Sequence, residues 1–159
     1  MVKMDELRKC FEALGFENVV TYINSGNVGF DCRKTSDARL CSKIEKAVAE
    51  KFGRFFSVMV REQKDIERIL KNNPFDGEYE SHKEMHVLFL KDKLSNEKAG
   101  AIKEAAFKGE RYHADGREIY CHLPRGVAES LLTKGVIDKK MKINFTGRNW
   151  RTVQKLAEL

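Results

Sequence analysis

Thr21-Tyr22-Ile23-Asn24-Ser25-Gly26-Asn27-Val28-Gly29-Phe30 is the most strongly patterned stretch of this 159-residue chain. It reads as a β-hairpin. Two alternating runs of β-branched and aromatic residues flank Ser25-Gly26, where Gly26 supplies a positive φ and Asn24 or Asn27 hydrogen-bonds the turn backbone. With Ser25 and Gly26 as the two loop residues, Ile23 faces Val28, Thr21 faces Phe30 and Val19 faces Cys32, making one apolar face. The opposite face carries Tyr22 beside Gly29, where the ring covers a glycine that packs nothing itself.

Working outward, Met4, Leu7, Phe11 and Leu14 recur at helical spacing before Gly15, which predicts a helix over 4–14. Beyond the hairpin, Ser36 is a good N-cap, and Leu40, Cys41, Ile44, Val48 and Phe52 continue a helical stripe that Gly53 ends. Residues 55–60 read as a strand and 63–70 as a short helix. Asn73-Pro74-Phe75-Asp76-Gly77 then breaks the pattern, and the charged stretch 76–84 reads as a linker. A similar grammar starts again. Residues 85–90 form an apolar strand, and Ser95 caps a helix to about residue 107. A second hairpin over 110–123 turns at Asp115-Gly116, a type I′ signal. A helix near 127–132, a short strand at 142–145 and a closing helix over 148–159 follow.

The expected fold is α+β, built of two ferredoxin-like halves: residues 1–75, a linker over 76–84, and residues 85–159 with the closing helix. The first half lacks the opening strand of that plan, which should lie inside its sheet. Either the chain begins before Met1, or another segment or chain fills the slot; a second copy pairing along the exposed edge would make a homo-oligomer.

Composition narrows the function. No run of 18 or more apolar residues exists, so no membrane span or membrane partner is expected, and the amino terminus lacks a signal-peptide core. A cytoplasmic protein is expected, with Cys10, Cys32, Cys41 and Cys121 as free thiols. The net charge of +6 is concentrated late: residues 111–159 hold ten basic against five acidic side chains. Such a segment attracts nucleic acid or another polyanion, or is simply a well-solvated surface.

Two places concentrate chemistry. Across the second hairpin, Arg111, His113, Glu118, Tyr120 and His122 share one face, while Tyr112, Ala114, Ile119 and Cys121 share the other. Cations and rings on a strand face are what RNA or single-stranded DNA uses, phosphates meeting arginine and bases stacking on rings; Glu118 works against it. Arg148 and Arg151 fall in the first turn of the predicted closing helix, where the dipole disfavours cations, so an anionic ligand or a facing glutamate should compensate. Trp150 beside them reads as core, and Asn24, Ser25, Gly26 and Asn27 as a structural turn or pocket edge. His82 and His86 do not share a helix and Cys121 and His122 point to opposite faces, so no metal is expected. No glycine-rich phosphate loop or nucleophile elbow occurs, and neither a cofactor nor a catalytic residue emerges.

The hairpin motif and the closing Arg148-Asn149-Trp150-Arg151-Thr152-Val153-Gln154-Lys155-Leu156 resemble the bacterial family called domain of unknown function 1697. Lys3-Met4-Asp5-Glu6-Leu7-Arg8, Leu14-Gly15-Phe16 and Asn73-Pro74-Phe75 extend the resemblance over nearly the whole chain. It implies a ferredoxin-like α+β architecture and no established activity. Members usually open with a strand and an Arg-Gly-Ile-Asn-Val-Gly-Gly stretch, neither of which is present; a site in that loop would be incomplete here. The leading expectation is a binding module for an anionic partner on the basic last third. The alternatives are a small-molecule enzyme with a site between the halves, near Asn24 to Asn27 and the closing helix, and an assembly protein.

Overall fold

The computed structural model describes residues 2–22 and 26–159. The chain forms two compact units: Met1–Gln63 with Lys155–Leu159, and Lys64–Gln154. The expected boundary after residue 75 and the 76–84 linker differ from this division, because residues 64–84 pack on the second unit's sheet.

In the first unit, helix α1 (Met4–Ala13) buries Leu7, Cys10 and Phe11, and stops where Gly15 takes φ +88°. Strands β1 (Glu17–Tyr22) and β2 (Asn27–Asp31) form an antiparallel pair. Helix α2 (Asp37–Phe52) starts as expected, with Ser36 Oγ accepting the Arg39 N–H at 3.2 Å, and ends at left-handed Gly53. Phe11, Phe16 and Phe30 meet with ring centroids 4.4–5.9 Å apart, which ties α1, β1's approach and β2 into one apolar cluster.

The hairpin register corrects the sequence reading. Thr21 pairs with Val28 and Tyr22 with Asn27, so the connection is longer than the two residues expected and each partner moves by two. A slip of two preserves the faces: Val19, Val28 and Phe30 still point at the helices. Gly29 is approached by Leu159 rather than Tyr22; a Cβ added there would lie 2.9 Å from Leu159 Cβ.

Residues 55–60 form no strand ladder among the described residues. Their alternation is that of a strand, with Phe56, Val58 and Val60 turned to the core. Helix α2 bonds the segment's backbone instead: Glu45 Oε2 accepts the Val58 N–H at 2.9 Å, and Cys41 Sγ donates to the Val58 carbonyl at 3.3 Å.

The second unit takes α3 (Gln63–Lys71) from Lys64 on, then β3 (Met85–Leu90), α4 (Asn96–Ala105), β4 (Arg111–Asp115), β5 (Glu118–His122), β6 (Phe145–Asn149) and α5 (Trp150–Leu156) as far as Gln154. Its sheet has the order β4-β5-β3-β6, antiparallel throughout, which is the split βαβ arrangement expected for this half. All six β3 residues are buried, as befits a central strand covered on both faces. Leu88, Leu90, Ile119 and Cys121 pack against Ile102 of α4 and against Leu131, Ile137 and Ile143 of the second crossover.

That crossover departs from expectation. The helix expected at 127–132 is a 3₁₀ turn (Leu131–Thr133) followed by a π turn (Val136–Lys140). Left-handed Gly126 and Gly135 punctuate the segment, and buried Ser130 ties it locally, its Oγ donating to the Val127 carbonyl at 2.6 Å and accepting the Leu132 N–H. The last strand begins at Phe145, and the closing helix at Trp150 rather than residue 148. No helix among the described residues is long and apolar enough to cross a membrane.

Candidate functional site

Alternation sorts the second hairpin as expected. Tyr112, Ala114, Ile119 and Cys121 point into the core beneath α4, and Arg111, His113, Glu118, Tyr120 and His122 share the opposite face. The turn itself moves by one residue, so each partner shifts by two: Asp115 pairs with Glu118, and Gly116 and Arg117 form the loop. Gly116 alone takes a positive φ, so the turn follows the II′ pattern rather than I′.

The face is not an open platform. Helix α3 and residues 73–84 lie over it, leaving Tyr120 at 1%, Glu118 at 5% and His122 at 7% exposure. The Tyr120 hydroxyl donates to the Ile69 carbonyl of α3 at 2.8 Å. Burial, with Asp115 and Glu118 nearby, pushes that phenol up to about 12, so it stays a neutral donor. A buried ring with its polar tip occupied cannot stack a base, which removes Tyr120 and His122 as direct contacts. His113 alone of the three rings is exposed, 6.3 Å from Tyr120.

At the far end of the face Arg111 and His122 build a charged cluster with residues that sequence reasoning missed. Arg111 Nη1 donates to Glu78 Oε1 at 3.0 Å, Arg111 Nη2 donates to His122 Nδ1 at 3.0 Å, and the guanidinium lies 4.7 Å from the centroid of the Phe75 ring. His122 Nε2 is 3.5 Å from Glu84 Oε1. The other oxygen of Glu84 accepts the amides of Glu80 and Ser81 at 3.2 Å each. A guanidinium only donates, so His122 Nδ1 is the acceptor and the neutral ring carries its proton on Nε2, facing the Glu84 carboxylate. Glu78 and Glu84 left no local signal, because they sit in a charged stretch that pairs with nothing in sequence.

The closing segment is also rearranged. Arg148 lies on β6 opposite Val87, not in a helix, and its Nη1 donates to Thr146 Oγ1 and the Gly147 carbonyl, each at 2.8 Å. Burial lowers its pKa. Arg151 is exposed in the first turn of α5, whose Thr152 N–H is already capped by Asn149 Oδ1 at 2.9 Å. Trp150 is core, as expected, with Tyr79 edge-on at 6.5 Å. In the first unit Asn27 is buried and its Nδ2 donates to the Tyr22 carbonyl at 3.0 Å, which makes it a hairpin brace. Gly26 has the positive φ expected; Asn24 and Ser25 lie outside the described residues.

Among the described residues no three of His, Cys, Asp and Glu gather as metal ligands. His86 is buried and lowered to about 4 by that burial and by His82. A cationic groove of about 360 Å³ lies between α4 and the β4–β5 turn. Lys93, Asn96 and Lys103 line one side, Ala114 and Gly116 the other, and no carboxylate lines it. A second cavity of about 400 Å³ mixes Asp138 with Lys142 and so is close to neutral.

A family model described as "Protein of unknown function (DUF1697)" matches residues 1–120. The conserved bacterial protein SP0830 from Streptococcus pneumoniae is similar in structure, with a TM-score of 0.76 and 25% identity over 99% of this chain and 88% of that one. No curated protein matches the chain.

Proposed function

The chain belongs to the family of proteins of unknown function DUF1697, and from that membership, which brings a fold without an activity, we propose that it is a binding module for an anionic partner, engaged through the second unit. The observation that carries this reading is the groove beside α4: two lysines and an asparagine line it without a carboxylate to neutralise them. Ammonium groups placed so attract phosphate oxygens as point charges, and exposed Lys139, Lys140 and Lys142, on the same unit, contribute charge of the same sign. RNA or single-stranded DNA is the polyanion to try first, with contact through phosphates rather than stacked bases, since Tyr120 and His122 are covered.

The test is the anisotropy of a labelled mixed-sequence single-stranded oligonucleotide titrated with the protein at several salt concentrations. Saturable binding that weakens steeply with salt is expected, and replacing Lys93 and Lys103 together with Ala should reduce the log–log salt slope by about 1–2, near one per lost phosphate contact. Binding that ignores salt, or none at low salt, would overturn the reading.

A further inference from the structure

We propose that Arg111, His122 and Glu84 form a proton-sensitive latch that holds residues 75–84 against the end of the second unit's sheet. It is independent of the anionic-partner reading, because it concerns groups that cover the strand face rather than the groove.

The geometry fixes which ring nitrogen accepts. Arg111 Nη2 stands 3.0 Å from His122 Nδ1, and arginine has nothing but N–H to offer. A second proton on the ring must go to Nδ1, the atom that now accepts. Two donors, both cationic, would then face each other at hydrogen-bond distance in a site where His122 is 7% exposed. The contact breaks. Arg111 has somewhere to go: its guanidinium is 42% exposed and already holds Glu78 and the Phe75 ring, both on the covering segment. Glu84 responds in the opposite sense. Its Oε1 lies 3.5 Å from His122 Nε2, which has no hydrogen-bond partner, and a charged ring draws the two together. The other charged or titratable groups facing this side, His113, Asp115 and Glu118 on the hairpin, Arg148 on β6 and Arg68 on α3, lie further along it, level with or beyond Tyr120. Protonation of His122 thus lets the Arg111 side chain swing outward from β4 with the 75–78 turn it holds, loosening that turn, while Glu84 keeps the other end in place.

The experiment is amide hydrogen exchange by NMR on the full chain, as protection factors, with the His122 ring signals followed from pH 8 to pH 4.5. The Glu78 amide, bonded to the Phe75 carbonyl at 3.0 Å, is expected to lose at least tenfold in protection in step with His122 protonation. The Glu80 and Ser81 amides, held by Glu84, should keep theirs. In His122→Gln an amide oxygen can accept from Arg111 but cannot titrate, so protection should stay high and flat. In Arg111→Leu the latch has no guanidinium to expel, and protection at Glu78 should be low at every pH. Unchanged protection while His122 takes its proton, a ring that stays unprotonated over this range in the folded protein, or the wild-type response persisting in His122→Gln would each overturn the latch.

Discussion

Tyr120 shows how a residue's neighbours, rather than its type, fix its role. Its ring is wholly buried, and its hydroxyl meets one of the last-turn carbonyls of α3, which no helical amide can satisfy. Tyr120→Phe should therefore cost about 1–2 kcal/mol, the worth of a buried hydrogen bond whose acceptor is left unpaired, measured by urea denaturation. Alternation along the hairpin identified correctly which side chains share its face with Tyr120. It carries no information on what covers that face, because the cover comes from a segment some forty residues earlier in the chain. Gly29 poses the same problem in smaller form. Its lack of a side chain was legible in the sequence, but its partner Leu159, at the far end of the chain, was not.

Among the elements, 55–60 is the informative failure. Its composition and alternation are those of a strand, and the second unit explains why it has no ladder. There the first strand, β3, lies between the third and the fourth, β5 and β6. In the first unit β1 and β2 take the second and third places and 55–60 takes the fourth, but no first strand occurs among the described residues to bridge β2 and 55–60. A strand pattern states a propensity; pairing needs a neighbour. Side chains of α2 stand in for that neighbour, so Glu45→Ala should cost about 1–3 kcal/mol by leaving the Val58 amide without its charged acceptor, and should raise exchange at Val58 ahead of α2. The hairpin registers were misread for a different reason. A glycine marks where a turn lies but not which loop position it fills, so both pairings slipped by two while the faces held. Helix α2 and β3, by contrast, had their ends written in the chain: a serine cap, a left-handed glycine and an unbroken apolar run.

For the whole molecule, acid should act on one unit before the other. His86 is buried in the second unit with its folded pKa at about 4 against an ordinary 6.5. The unfolded chain binds the extra proton first, so stability is fully present above about pH 6.5 and is lost as the pH falls toward 4, by up to about 3 kcal/mol. Trp150, the only tryptophan, belongs to the same unit and reports it alone. At pH 4.5 the fluorescence midpoint in urea should fall well below its value at pH 7, more so than the far-ultraviolet dichroism, which averages both units. His86→Gln should remove most of the difference; a difference unchanged in that variant would assign the acid loss elsewhere.

The last five residues, Lys155–Leu159, belong to the first unit, where the Gln63 side-chain amide donates to the Ala157 carbonyl and Leu159 lies against Gly29. The opening two-fifths of the chain therefore cannot finish folding until residues 155–159 have been made. It must wait, Gly29 uncovered, until that segment has left the ribosome, and by then the second unit has had time to form. The unit translated first is completed last, and loss of residues 155–159 would injure the part of the molecule that was synthesised at the start.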